Sequence, residues 1–423
     1  MKSSKRVILS FLAVLLLSTA SLAAEETLEW KACVDEAKRQ NPALISAFEN
    51  IKQYKAAKEV TRSAVMPQVS GSGSESTAKS AGGARSTTYD YSVTGQQLLF
   101  DGFKTSFDLS AAERNIISSK YNYDVTSSNI RLSLRTAFAN LLTAQEFLKV
   151  AQGIEARRKQ NLELVKLRYE GGREHRGSLL TSEADLAEAS YEVRQATRDI
   201  YVAQRQLTKE LGRSLFVPMT AQGDFEVRDQ DVSLTDFEDL AETTPLLQQL
   251  IAKKESAKFG LNAAYADFFP QVYANANIGN TNTRWFPDRN EWSLGTSLSL
   301  PIFDGGNRFA AVSQAKAVLG QAKENERSGR DGVIYTLSNT WAALQDAVEN
   351  VLVRKKYLYA TEERARIAEA EYSVGLMSFD NWIIIEDNLV SAKKSLVSAQ
   401  LGALIAEATW IQAKGGTLDY DKK

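Results

Sequence analysis

Residues 270–306 read PQVYANANIGNTNTRWFPDRNEWSLGTSLSLPIFDGG, and this stretch decides the fold. Val272, Ala274, Ala276 and Ile278 alternate with Tyr273, Asn275, Asn277 and Gly279. After a loop, Trp292, Leu294, Thr296, Leu298 and Leu300 alternate with Ser293, Gly295, Ser297 and Ser299. A period of two sends successive side chains to opposite faces of a strand, so the segment predicts a hairpin with one apolar face and one polar face. The ionised residues Arg284, Asp288, Arg289 and Glu291 fall in or beside the loop, which leaves both strands uncharged.

The hairpin has a twin. Leu99-Phe100-Asp101-Gly102 and Ile302-Phe303-Asp304-Gly305 are one phrase written twice, at an offset of 203 residues. The same offset carries Pro42 onto Pro245, Pro67-Gln68-Val69 onto Pro270-Gln271-Val272, Tyr169 onto Tyr372, Gly172 onto Gly375, Glu183 onto Glu386 and Gly212 onto Gly415. Matches in gapless register over nearly all of both halves mean a tandem duplication. A period this long implies two pseudo-equivalent halves, not a solenoid. In the first half the strands fall near Gln68–Ser76 and Thr87–Phe100, with Glu75, Lys79, Arg85 and Asp90 towards their loop.

Outside the strands the chain is rich in strong helix formers and poor in proline. Ile334, Leu337, Trp341, Leu344, Val348 and Val351 form a heptad stripe, repeated in the first half by Leu134, Phe138, Leu141 and Leu148. Phe138 and Trp341 read as core residues. No proline lies between Asp101 and Tyr169 or between Asp304 and Tyr372. A helix of that length approaches about 100 Å at about 1.5 Å per residue and must bury its stripe against neighbours. The helices turn at Gly171-Gly172 and Gly375, and the returning helices run about Leu179–Leu211 and Asp380–Lys414.

Lys2, Lys5 and Arg6 precede an apolar run from Val7 to Leu17, followed by Ser21 and Ala23, the pattern of a secretory signal peptide. The run is too short for a membrane anchor, and no other stretch has the length of a transmembrane helix, which needs about 20 residues. Cys33, the only cysteine, excludes an intramolecular disulfide, and its charged surroundings are unlike a lipoprotein signal. A formal net charge of −1 argues against nucleic acid as a partner. One histidine, one cysteine, no Walker-type glycine loop and no paired metal-ligand spacing argue against an enzyme, a metal or a cofactor. His175, among Arg173, Glu174 and Arg176, reads as a solvated loop residue.

By periodicity alone the strands fit a surface sheet of a soluble domain as well as an outer-membrane barrel. Their lack of charge, the aromatic pair Trp285-Phe286 in the loop and the absence of a covering layer favour the membrane. Four strands cannot close a barrel, and open edges are not viable in lipid, so partner chains must supply the rest. Two chains would give a barrel filled by side chains, whereas three leave room for a lumen. In that arrangement Ser293, Gly295, Ser297 and Ser299 face the lumen, while Trp292, Leu294 and Leu298 face lipid.

The signal peptide, the duplicated unit of helix, two strands and long helical hairpin, the Pro-Gln-Val strand start and the Phe-Asp-Gly strand end together resemble the TolC family of outer-membrane efflux proteins. The resemblance implies a mainly α chain with a β-barrel part, in which three copies close a 12-stranded transmembrane barrel above a periplasmic helical barrel. It further implies a homotrimer in the outer membrane of a Gram-negative bacterium, extending into the periplasm. The partners implied are outer-membrane lipid, a periplasmic adaptor (membrane fusion) protein and an inner-membrane transporter. The chain then divides into a signal peptide (1–23), a first repeat (24–212, strands about 68–80 and 87–100), an equatorial linker region (213–235), a second repeat (236–415, strands about 270–283 and 292–303) and a tail (416–423).

In the family a Val-Gly-Leu phrase at the helical tip touches the adaptor, and Val374-Gly375-Leu376 with Ser378 fits it here. The first tip departs, with Gly172 kept and Arg173 in place of an apolar residue. Family members narrow the closed tunnel with a ring of aspartates after the second tip. The usual positions fall on Asn381 and Ile384, so Glu386 or Asp387 is expected to supply any acidic ring, with Asp380 as a helix cap. Solvated charges at a helix start are the competing reading. The function implied is a passive exit duct of a tripartite efflux system, with the outer-membrane component of type I protein secretion as an alternative. A non-pore trimeric coiled-coil envelope protein is the alternative of another class.

Overall fold

The computed structural model describes residues 26–79, 81–225 and 236–420. The signal peptide therefore lies outside the described residues, as do parts of the linker region and tail. In chain order the elements are β1 (Glu26–Glu29), α1 (Trp30–Gln40), α2 (Pro42–Ser63), β2 (Gln68–Lys79), β3 (Arg85–Phe100), α3 (Lys104–Glu170), α4 (Arg176–Leu211) and β4 (Met219–Gln222). They continue with α5 (Phe237–Glu242), α6 (Pro245–Ala266), β5 (Gln271–Asn282), β6 (Arg289–Ser299), α7 (Asn307–Val374) and α8 (Phe379–Ala413). The 203-residue offset maps α2 onto α6 and β2 onto β5 residue for residue, and α3 and α4 onto α7 and α8 to within one residue at their ends. No described helix is long and apolar enough to cross a membrane.

The Phe-Asp-Gly phrases work as joints. Asp101 accepts hydrogen bonds from the Thr105 N–H (2.8 Å) and hydroxyl, capping the first turn of α3. Asp304 does the same for α7 with the N–H groups of Gly306 and Arg308, both at 3.2 Å, and the Arg308 Nε at 2.7 Å. Gly102 and Gly305 take positive φ, 69° and 68°, and a side chain at Gly102 would sit 2.4 Å from Phe269 Cβ. Proline opens both short helices, at Pro42 and Pro245, where its missing N–H has no helical partner to lose.

The described residues divide into two compact units. The first comprises those within Met1–Pro42, Ile130–Asp231 and Ala342–Thr409. Its heptad positions Leu134, Phe138 and Leu141 on α3 are buried as the stripe predicts, and Trp30 meets Phe138 edge-on at 5.9 Å. The four-residue strands β1 and β4 pair in parallel, an element the sequence did not reveal. Gln145 fixes them to α3 through both backbone groups of Ala221, at 3.0 and 2.8 Å. Arg213 clamps Glu36 (2.5 and 2.7 Å) and Glu26 (2.6 Å). Buried Cys33 lies nearby, its thiol pushed up to about 12 by burial and the Glu36 charge, so it stays protonated.

The second unit comprises the described residues within Ala43–Asn129, Val232–Trp341 and Trp410–Lys423. Phe237 bridges Trp341 (6.1 Å) and Trp410 (6.5 Å), and Leu247 and Leu337 are fully buried. It also holds an antiparallel sheet of order β2-β3-β5-β6. Two expectations need correction. β6 ends at Ser299, because Pro301 has no N–H to continue a ladder, and at its other end it includes Arg289 and Glu291. The strand is therefore charged at its loop end, where the two side chains pair at 3.2 Å.

Candidate functional site

The ladder register sorts the sheet into two chemistries. Trp292, Leu294 and Leu298 share a face with Ile278, Ala276 and Val272, and through β3 with Val93 opposite Ile278. The large apolar side chains stand open: Trp292 is 78% exposed, Leu294 77% and Leu298 69%. The opposite face brings Ser293, Gly295, Ser297 and Ser299 together with Asn277, Asn275, Tyr273 and Gln271. Polar cross-strand bonds run along it: Asn275 Nδ2 donates to Ser297 Oγ (2.9 Å), Thr94 Oγ1 to Asn277 Oδ1 (3.0 Å), and the Ser72 and Ser92 hydroxyls are hydrogen-bonded at 2.9 Å. The edge strands β2 and β6 are exposed at every residue.

The two helical turns lie together in the first unit. Gly172 and Gly375 adopt positive φ (67° and 85°), which lets each long helix end in a left-handed step. His175 caps α4, its Nδ1 accepting from the Ser178 N–H at 3.2 Å, so α4 starts three residues earlier than the hydrophobic pattern suggested. On the second turn Ser378 is the cap: its carbonyl takes the Trp382 N–H (3.1 Å) and its hydroxyl lies 3.5 Å from the Asn381 N–H. This corrects the assignment of Asp380, which sits within the first turn of α8 and complements the helix dipole there.

Beneath the turns Tyr372, Trp382, Phe379, Ile385, Leu389, Val165, Ala365 and Ala368 form a buried cluster. Tyr372 stacks on Trp382 at 4.2 Å and 11°. Arg168 lies over the phenol ring, 4.6 Å from its centroid, and donates to the carbonyls of Tyr372 (2.7 Å) and Ser373 (3.3 Å). The Tyr372 hydroxyl donates to Glu174 Oε2 at 2.9 Å, tying the two turns together. Burial and the Glu174 carboxylate hold the Tyr372 hydroxyl far above its usual range, so it remains a donor. Burial alone would raise Glu174, but the hydrogen bonds from Tyr372, Ser178 and the His175 N–H outweigh it and hold the carboxyl below its usual range.

The acids after the second tip separate sharply. Glu386 is 1% exposed and receives Arg157 Nε at 2.5 Å, Arg157 Nη2 at 2.7 Å and Asn161 Nδ2 at 3.3 Å. Those hydrogen bonds to Glu386 keep Arg157 even more firmly protonated than usual. Arg158 pairs with Asp387 and approaches Asp185 (3.7 Å), whose carboxyl is raised by burial. Asp380 and Asp387 are both exposed and lie two helical turns apart on one face of α8, whereas Glu386 points into the helix packing. Arg157 and Arg158 escaped the sequence reading, because Glu-Ala-Arg-Arg-Lys looks like a solvated helix face. Their partners lie 229 residues away. Among the described residues no group of His, Cys, Asp and Glu could hold a metal ion.

The profile of the outer membrane efflux protein family matches residues 33–213 and 237–416. The outer membrane efflux protein BepC of Brucella suis is 23% identical over 94% of this chain and 87% of its own length. The alkaline protease secretion protein AprF of Pseudomonas aeruginosa is 25% identical over 78% of this chain and 70% of its own. The open-state structure of the Neisseria gonorrhoeae MtrE outer membrane channel superimposes with a TM-score of 0.82 at 20% identity, covering 93% of this chain and 90% of that one.

Proposed function

The chain belongs to the outer membrane efflux protein family, channels of the outer membrane and not enzymes, and we propose that three copies of it form the exit duct of a tripartite efflux system. The observation that carries this is the four-stranded sheet with one lipid-compatible face, one polar face and two uncovered edges. Three copies joined β2 to β6 give twelve strands, whose serine and asparagine side chains line the lumen with Gly295 between them. The protein performs no chemistry. It conducts small molecules passively once the tips open, and the energy comes from an inner-membrane transporter.

The tips, Gly172 and Arg173 on one side and Val374, Gly375, Leu376 and Ser378 on the other, meet a periplasmic adaptor. Opening shifts a closed-to-open equilibrium in which the Tyr372–Glu174 contact between turns is released. In the closed state Asp380 and Asp387 narrow and charge the entrance, while Glu386 holds α8 to α3. Similarity to AprF supports a second reading, a conduit for protein secretion.

The deciding experiment reconstitutes the purified protein in a planar bilayer. A trimer with cation-selective conductance is expected, with selectivity lowered by Asp387→Ala and Asp380→Ala but not by Glu386→Ala. A monomer without conductance refutes the duct, and selectivity unmoved by both aspartate variants removes the acidic entrance.

A further inference from the structure

The register that divides the sheet into two faces also divides its charges. In steps of two from Val93 along β3, Tyr91, Tyr89, Thr87 and Arg85 share the lipid-side face, and their ladder partners on β2 are Gly73, Glu75, Thr77 and Lys79. Trp285 meets Tyr89 edge-on at 5.1 Å and stands 57% exposed, so aromatic rings gather where the apolar band ends. Four residues beyond Tyr89, Arg85 lies directly opposite Lys79. Both are exposed, and neither has an ion-pair or hydrogen-bond partner among the described residues. Like charges directly opposite each other destabilise a ladder. The other ionised residues of the sheet do not relieve them: Asp90, Arg289 and Glu291 fall on the lumen side. Glu75, the one acid on the lipid side of the ladders, sits opposite Tyr89, about 13 Å along the strand from Lys79.

We propose that Lys79 and Arg85 form an anion clamp for the phosphorylated saccharide headgroup of lipopolysaccharide, the glycolipid of the outer leaflet, above a girdle of Tyr89, Tyr91 and Trp285. The proposal rests on the barrel reading, in which both hairpins open to the exterior, and adds a lipid site to it. A guanidinium takes a phosphate through two parallel hydrogen bonds and an ammonium serves it as a point charge, so one of each suits a single phosphate. Height selects the lipid. At about 3.3 Å per residue and a strand tilt of about 40°, the cations stand about 10 Å above Tyr89 along the membrane normal. A phospholipid headgroup layer is about 5–7 Å deep, so its phosphate would lie nearer the rings, whereas a saccharide fills the space beneath the cations. The hydrogen-bonded hydroxyls of Thr77 and Thr87 (2.9 Å) lie in that space, at the height of the sugar. Repulsion between the two cations is relieved when the phosphate sits between them.

The test uses the full chain as a trimer purified in mild detergent and stripped of lipid, with native mass spectrometry reading the binding of bis-phosphorylated lipid A to each subunit. Lys79→Gln combined with Arg85→Gln should weaken binding by about 30-fold with trimer yield unchanged. Dephosphorylated lipid A should bind the parent protein as weakly. The exchange Lys79→Arg with Arg85→Lys should keep the affinity, as should Arg289→Gln, which removes a cation from the lumen side. Affinity unmoved by the double glutamine variant overturns the clamp, and so does an equal loss in Arg289→Gln, which would mark bulk charge only. Phosphatidylglycerol or inorganic phosphate binding as tightly as lipid A overturns the glycolipid assignment. A parent chain that yields no trimer overturns the barrel reading, and the clamp with it.

Discussion

Replacing Glu386 by alanine should loosen the start of α8 without moving the fold. Arg157 places Nε at 2.5 Å and Nη2 at 2.7 Å on the two carboxylate oxygens, a bidentate pair whose acid is 1% exposed. Breaking such a pair from one side costs about 3–5 kcal/mol when the surviving charge is fully buried. Here the Arg157 side chain is 28% exposed and keeps Glu369 at 3.2 Å, so part of its solvation returns and the loss should be about 2–3 kcal/mol. At about 1.4 kcal/mol per decade, hydrogen exchange of amides near Trp382–Leu389 should accelerate by about 30- to 150-fold. Pairing Glu386→Leu with Arg157→Met should recover most of the protection, because neither charge is then stranded. Exchange in Glu386→Ala equal to that of the parent chain refutes the reasoning, as does a double variant no better than the single.

Leu294→Lys, at the middle of β6, should abolish outer-membrane trimer, since a lysine at mid-bilayer depth costs about 2–4 kcal/mol in each chain, while Ser293→Lys on the opposite face should assemble; membrane fractions run unheated on gels read this, and equal tolerance refutes the face assignment. Gly212→Ala should destabilise by at least ~1–2 kcal/mol. Gly212 sits at φ 83°, and an added Cβ would meet the Gln40 carbonyl oxygen at 2.5 Å; an unchanged thermal midpoint would contradict this. The contact between turns should weaken on acidification. Glu174 has a folded pKa held below its usual value, so it stabilises above the unfolded carboxylate range and loses that contribution as pH falls through the folded pKa. Protection of amides near Glu174 at neutral and strongly acid pH checks this, and Glu174→Gln should be insensitive over the same interval.

Much of the architecture was legible because it is periodic. A period of two marked the hairpins, heptads marked the long helices, and the repeated phrases marked the joints between them. What the sequence concealed is what has no period. Strands β1 and β4 are four residues each, too short for alternation to stand out, and their pairing is between segments nearly two hundred residues apart. The caps His175 and Ser378 shifted two helix starts because capping is decided by a single side chain's reach, not by a pattern. Arg157 and Glu386 look like ordinary surface charges until the fold brings α3 and α8 together. Glu174 shows the same blindness in miniature: its neighbours in sequence suggest neutralisation, and its neighbour in space, Tyr372, removes it from the surface.

The two unlike edges of the sheet, serine- and glycine-rich β2 and tryptophan- and leucine-bearing β6, have a genetic consequence. In the proposed ring each joint is heterologous, so every subunit depends on both neighbours and a single faulty edge opens the whole tube. An allele damaged only in β6 would therefore be dominant. In a cell making both versions, the fraction of intact ducts would fall as the cube of the wild-type share rather than in proportion to it.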